Sequence, residues 1–257
     1  MAIDFRDPAL RRTYTGREPG PEWAPAVTAL LDPAGRRVGD LGCGGGVYSR
    51  AWRTLGAAVV VGVDSSPVMI AGAREAGEVT CVRHVVAEAT ATGLAEGCLD
   101  VVFARALVHH LPDPAPLLAE AHRLLRPGGH VLLQDRTVAD VDAPASAEHV
   151  RALLFEAAPG LRTVEVARRP ADHAVRTALD VAGFTATSSR TLWETRRVHP
   201  DAGALAADLR ARTGRSILHE LDDDELEDVV THVLARVGAG PVVERDRWTL
   251  WHGVRPA

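Results

Sequence analysis

Between Val38 and Val47 the chain reads Val-Gly-Asp-Leu-Gly-Cys-Gly-Gly-Gly-Val, an apolar strand pattern that runs into glycines at 42, 44 and 46 and then into a helical pattern. Glycine at those alternate positions lets the backbone turn sharply and lets a ligand lie against bare main chain. A dinucleotide-binding fingerprint would need its third glycine at 47, where Val47 stands. The spacing is instead acid-x-Gly-x-Gly-x-Gly, led by Asp40. A pyrophosphate favours helix-terminal amides with no carboxylate beside them. The leading acid therefore counts against a nicotinamide dinucleotide.

The flanking pattern predicts an α/β fold. Short apolar runs over 37–41, 58–63, 79–86, 100–105 and 130–135 alternate with helical patterns near 47–55, 67–76 and 114–125. Such alternation reads as a parallel sheet with helices on both faces. Arg126-Pro127-Gly128-Gly129 reads as a stop before the fifth strand. The second half is less regular, with helices expected over 145–157 and 171–182 and strands over 184–194 and 242–253. Residues 200–239 read as two helices joined near Thr213-Gly214, with Asp222-Asp223-Asp224 at a helix N-terminus, where acids suit the dipole. An insertion there, between the last two strands, suits a lid.

The glycine loop resembles motif I of the class I S-adenosylmethionine-dependent methyltransferases. The methionine end of that methyl donor carries an ammonium group, which a carboxylate at Asp40 favours. Gly62-Val63-Asp64-Ser65-Ser66 resembles the acidic strand end that hydrogen-bonds the ribose. Ala87-Glu88-Ala89-Thr90 is similar to the adenine-edge segment, with Glu88 where the family usually has aspartate. Gly97–Val102 and Leu107-Val108-His109-His110-Leu111-Pro112 resemble the fourth strand and its exit loop in small-molecule members of the ubiquinone-biosynthesis type. The resemblance covers about 37–135, less than half the chain, and departs from the family at Gly39, where an apolar residue is usual. It implies a Rossmann-like seven-stranded mixed sheet with an antiparallel last strand, flanked by helices and carrying a helical lid. It implies one domain over 1–257: a cap segment 1–36, a cofactor core 37–136, and a C-terminal half 137–257 with its insertion at 200–240. S-adenosylmethionine is the implied cofactor. Asp40, Gly42, Cys43, Gly44, Gly46, Asp64, Ser65, Ala87, Glu88 and Ala89 are the implied contacts.

Methyl transfer from a sulfonium needs an in-line nucleophile and exclusion of water, and a base only for a hydroxyl or acidic carbon. His109 and His110 follow the fourth strand, at the sheet edge where open α/β folds bind ligands, and are the leading base candidates. His219 in the insertion is a weaker one, with exposure its expected fate. Arg105 suits the donor's carboxylate or an ion pair. Tyr14 and Arg17 suit an N-terminal segment folded over the cofactor. Cys43 reads as a small residue in a crowded loop, since no base is paired with it. Five tryptophans stand out; Trp248 and Trp251 lie an odd step apart, so on a regular strand only one is expected to face the core.

Bulk properties narrow the rest. With 46% hydrophobic residues, the 257-residue chain can bury a full core. A formal charge of -5 argues against a nucleic-acid partner. Cys43, Cys81 and Cys98 match no zinc or redox spacing, so no metal is expected. The N-terminus has no apolar signal region, and the longest apolar run, near 57–63, is too short for a membrane. A soluble, cytoplasmic enzyme methylating a small molecule is the expectation. The alternatives are a cofactor-binding protein without methyl transfer and an NAD-dependent oxidoreductase. Neither the accepting atom nor the oligomeric state is encoded in these motifs.

Overall fold

The computed structural model describes residues 7, 8, 11, 15, 16, 18–212 and 214–257. The first half is a near-regular alternation. In order come α1 (Trp23–Thr28), β1 (Arg37–Leu41), α2 (Val47–Thr54), β2 (Val59–Asp64), α3 (Pro67–Glu75), β3 (Val82–Val86), β4 (Leu99–Arg105), α4 (Ala115–Leu124) and β5 (Leu125–Asp135). The second half holds α5 (Val138–Val141), α6 (Val150–Ala157), α7 (Pro159–Val166), α8 (Asp172–Val181), β6 (Thr185–His199), α9 (Ala202–Arg210), α10 (Asp223–Leu234) and β7 (Val242–Val254). Short 3-10 turns lie at Val108–His110 and Ser216–Glu220.

The strands form one seven-stranded sheet in the order β3-β2-β1-β4-β5-β7-β6. β1 to β5 pair in parallel, and β7 runs antiparallel between β5 and β6. The mixed sheet expected from the sequence is thus present. Register fixes what meets at its carboxyl edge. Leu41 pairs with Val63 and Ala104, Asp64 with Val86, and Arg105 with Gln134. The glycine loop, Asp64, the segment after Val86, Arg105 and Asp135 therefore leave the sheet side by side.

Helices cover both faces. Leu41, Val63, Val102, Leu133 and Trp251 pack on one side with Leu117, Leu124 and Leu179 from α4 and α8. Val38, Val60, Phe103, Leu132 and Trp248 pack on the other with Trp23 and Trp52 from α1 and α2. The edge contacts of Trp23 with Trp52 and Phe103, at 5.4 and 5.8 Å, each add about 0.5–1.5 kcal/mol beyond area burial. This corrects one expectation: Trp248 and Trp251 do face opposite sides, yet both are buried, because both faces of β7 are covered over residues 248–251. A third core joins α6, α7, α9 and α10 around Leu153, Leu161, Leu209 and Val230.

Boundaries differ from the sequence reading where local pairing overrides pattern. β5 begins at Leu125, ahead of the predicted stop. Leu99 pairs with Leu125 and Val101 with His130, so residues 126–129 bulge within the ladder. Gly128 supplies the left-handed turn at φ 73°, and Asp100 accepts hydrogen bonds from Arg37 and Arg126 beside it. α7 begins on Pro159, which reads as a breaker but suits a first helical turn, where no amide proton is needed. β6 runs on to His199, past the predicted end at 194, because its partner β7 continues the ladder to Val242. Gly39 is explained as well: a Cβ there would lie 2.5 Å from Leu99 Cδ1.

Candidate active site

The loop after β1 is held from beneath by β2. The amides of Gly42 and Cys43 both donate to the Val63 carbonyl, at 2.7 and 3.0 Å. Gly44 donates to Asp64 Oδ2 and Ser66 to Asp64 Oδ1, each at 2.9 Å, so one carboxylate ties the loop to the N-terminus of α3. Ser66 caps that helix by accepting from Met69. Gly44 and Gly46 are both left-handed but serve opposite ends. A Cβ on Gly46 would meet His84 Nε2 at 2.7 Å, whereas a Cβ on Gly44 would meet nothing within 4 Å. The bare main chain at Gly44 faces open space. Leu107, from the exit of β4, packs over Gly42.

Asp40 lies under this loop, 2% exposed, accepting from Ser49 Oγ at 2.6 Å. Burial, reinforced by the nearby Asp64 charge and opposed by Ser49, pushes its carboxyl up to about 7. Burial first, then the charges of Asp40 and Asp64, push the Cys43 thiol well up, which removes it as a nucleophile. Burial also raises Asp64, against its two backbone hydrogen bonds. Ser65 and Glu88 are exposed at the same edge, Ala87 donates its amide to the Asp64 carbonyl at 3.1 Å, and Ala89 is buried. These cofactor candidates converge. Tyr14 and Arg17 lie outside the described residues.

Arg105 is drawn into a part-buried ion pair. Its Nη2 donates to Glu194 Oε2 at 3.0 Å, and its guanidinium lies 4.5 Å from the Tyr48 ring centroid and 4.1 Å from that of Trp248. Burial works against the charge, but Glu194 holds it firmly protonated. Glu194 also accepts from the Tyr48 hydroxyl at 2.5 Å, the Gly20 amide at 3.2 Å and Gln134 Nε2 at 2.8 Å. One acid from β6 thus pins the N-terminal segment, α2, β4 and β5 together.

His109 and His110, equivalent in sequence, are separated by the structure. His109 Nδ1 lies 2.9 Å from Asp135 Oδ2, and the His109 amide donates to the same oxygen at 3.1 Å. Burial would raise Asp135, but His109 and Arg169 hold its carboxyl well below the usual range. Burial lowers the His109 imidazole more than Asp135 raises it. An ionised acid facing a neutral imidazole fixes the proton on Nδ1 and leaves Nε2 as the basic nitrogen. His110 is exposed, its ring centroid 4.0 Å from that of His109. His219 is exposed on the insertion. A cavity of about 540 Å³ opens beside His109, between the Val108–His110 turn with Leu111 and the segment holding Arg168 and Arg169.

Sequence reasoning missed the buried charges behind this cavity. Asp135 also accepts from Arg169 Nη1 at 2.9 Å, and Arg169 Nη2 reaches Glu165 at 2.5 Å. Asp246 accepts from Arg136 at 2.7 Å and Arg151 at 3.0 Å. The available signal is the phase of β7, which buries Glu244 and Asp246 on the same alternation as Val242 and Trp248. His199, Asp208 and Glu244 bring ligand-type atoms within 4.8 Å of one another. Arg215 grips both oxygens of Glu244, at 2.8 and 2.7 Å, and Arg196 adds a contact at 3.0 Å. Guanidinium groups already neutralise these carboxylates, so the cluster acts as a clamp between the insertion and the strand pair.

Comparison with known proteins bears on the same region. Residues 39–133 match the family model described as a methyltransferase domain. The ubiquinone biosynthesis O-methyltransferase of Pseudomonas aeruginosa (strain LESB58) is 40% identical over 104 residues, 39% of this chain and 44% of that one. The chain spans about half the length of the curated relatives it matches. The phosphoethanolamine N-methyltransferase 2 of Haemonchus contortus, solved with S-adenosyl-L-methionine, superposes with a TM-score of 0.64 at 19% identity, covering 100% of this chain and 61% of that one. An S-adenosylmethionine-dependent methyltransferase from Mesorhizobium loti superposes with a TM-score of 0.54 at 23% identity, covering 91% and 97%.

Proposed function

We propose that the chain binds S-adenosylmethionine and transfers its methyl group to a hydroxyl of a small molecule, a reading supported by the match of residues 39–133 to a methyltransferase domain and by the sheet order. The observation that carries this reading is the convergence of the glycine loop, Asp40 and Asp64 with the His109–Asp135 pair at one sheet edge.

The residues present suit that cofactor. The open main chain at Gly44 offers close approach, and the acids nearest the loop are carboxylates, which match an ammonium group and a ribose diol better than a pyrophosphate. Asp40 would face the ammonium charge, Asp64 and Ser65 the ribose, and Ala87, Glu88 and Ala89 the adenine edge. Bound there, S-adenosylmethionine supplies a methyl group on a sulfonium, which leaves with the C–S electron pair staying on sulfur. His109 Nε2 takes the proton of the acceptor hydroxyl, and Asp135 holds the ring and stabilises the imidazolium that forms. The part-buried Arg105–Glu194 pair and the Trp248 ring stacked on it lie at the end of β4 beside this site. The relative from Pseudomonas aeruginosa is named for O-methyl transfer, which supports the choice of oxygen.

The test is incubation with methyl-labelled S-adenosylmethionine and the small-molecule fraction of a bacterial extract. Label in a small-molecule product, with S-adenosylhomocysteine formed in equal amount, is expected. Cofactor binding with no label in any small molecule would contradict transfer and leave a cofactor-binding protein.

A further inference from the structure

We infer that the cavity beside His109 is the acceptor site and that it selects an anion: a small molecule with an apolar body whose carboxylate or phosphate is held by Arg168 and Arg169. The inference rests on the methyl-transfer reading and assigns its acceptor class. At about 540 Å³ the cavity falls within the range of small-molecule sites, roughly 300–1,000 Å³. One of its lining residues, His109, follows two residues after Leu107, which packs on Gly42 of the glycine loop.

The lining is lopsided in charge. Val108, Leu111 and Val175 make apolar wall, and the charged side chains among the lining residues are Arg168 and Arg169. The acids that balance them, Asp135 and Glu165, are fully buried behind the wall and do not line the cavity. Arg169 is itself only 4% exposed. Its two terminal nitrogens are committed to Asp135 and Glu165, and its Nε has no protein partner among the described residues. Arg168 is held loosely: its Nη2 stands 3.6 Å from Glu165 and its Nε 3.4 Å from the Val164 carbonyl, with the side chain 30% exposed. Arg168 is thus nearly free to turn onto a ligand, beside the guanidinium of Arg169, which also lines the cavity. That pairing matches the oxygens of a carboxylate or phosphate, with the hydroxyl to be methylated presented to His109.

The test titrates benzoate, phenyl phosphate and benzyl alcohol into the full chain at fixed ionic strength, with and without saturating S-adenosylhomocysteine, for the wild type and Arg168→Gln. At least one anion should bind tenfold or more tightly than benzyl alcohol, and the tighter of the two identifies carboxylate or phosphate. Arg168→Gln should weaken that anion at least fivefold while leaving benzyl alcohol and S-adenosylhomocysteine unchanged. Benzyl alcohol binding as tightly as both anions, an anion affinity indifferent to Arg168→Gln, or no binding by any probe would overturn the assignment. Failure of S-adenosylhomocysteine alone to bind would fall on the methyl-transfer reading, since the probe affinities are read independently of it.

Discussion

The carboxylate of Asp135, at the end of β5, lies 2.9 Å from Nδ1 of His109, which follows β4. That contact orients the imidazole and fixes its tautomer. Because burial holds the His109 pKa below 6.5, the neutral base persists as the pH falls to that value. The acid limb of kcat/KM should therefore lie below pH 6.5. His109→Gln should lower kcat/KM for a hydroxyl acceptor by about 10²–10⁴-fold. Asp135→Asn removes the charge that favours imidazolium, so it should slow turnover and move the acid limb to still lower pH. An unmoved limb in Asp135→Asn, measured by initial rates between pH 5 and 8, would assign Asp135 a purely structural role.

Asp40 couples cofactor affinity to pH. Its carboxyl sits near 3.8 when unfolded and at about 7 in the fold, so the folded apo-protein carries the proton over most of that interval. An ammonium group bound nearby favours the ionised form and expels the proton. Affinity for S-adenosylhomocysteine should then rise as the pH goes from 5.5 to 7.5, by at most about tenfold per unit. In Asp40→Asn the dependence should flatten. Calorimetry at three pH values reads both the slope and the released proton.

Glu194 should be a stability residue before it is anything else. Removing it strands the part-buried Arg105 charge and deprives Tyr48, Gly20 and Gln134 of an acceptor. Glu194→Ala should cost about 2–4 kcal/mol, between the values for exposed and fully buried pairs, read from urea unfolding. A loss near that of an exposed ion pair, below about 1 kcal/mol, would contradict the hub.

The core of the fold was legible because its information is local. The alternation from Arg37 to Asp135 carries strand and helix periods directly, and the loop needs glycine where the backbone turns left-handed. The second half was harder. The contacts that organise it join residues far apart in sequence, such as Arg151 with Asp246 and Gln134 with Glu194. No window of sequence pairs them. The two histidines were visible as candidates, but choosing His109 required Asp135, which sequence places only at the end of an apolar strand. Trp248 and Trp251 misled for a related reason: alternation gives which face a residue takes, and both faces of β7 are covered where these two residues stand.

Gly44 and Gly46 should respond differently to alanine. Gly46→Ala combines φ 74° with a Cβ 2.7 Å from His84 Nε2, so it should cost about 2–4 kcal/mol of stability. Gly44→Ala has φ 49° and open space, so only about 1–2 kcal/mol is expected. The new methyl covers main chain that the cofactor would use, and affinity for S-adenosylhomocysteine should fall about tenfold or more. Thermal unfolding and calorimetry on the two variants separate the effects; equal affinity losses would contradict the assignment of Gly44 to the ligand side.

The most direct measurement is calorimetric titration of the wild-type chain and Asp64→Ala with S-adenosylhomocysteine, with NAD as the control. Micromolar binding by the wild type, weakened at least tenfold in Asp64→Ala and absent for NAD, is the predicted result. Binding of NAD without S-adenosylhomocysteine would contradict the cofactor reading of the glycine loop.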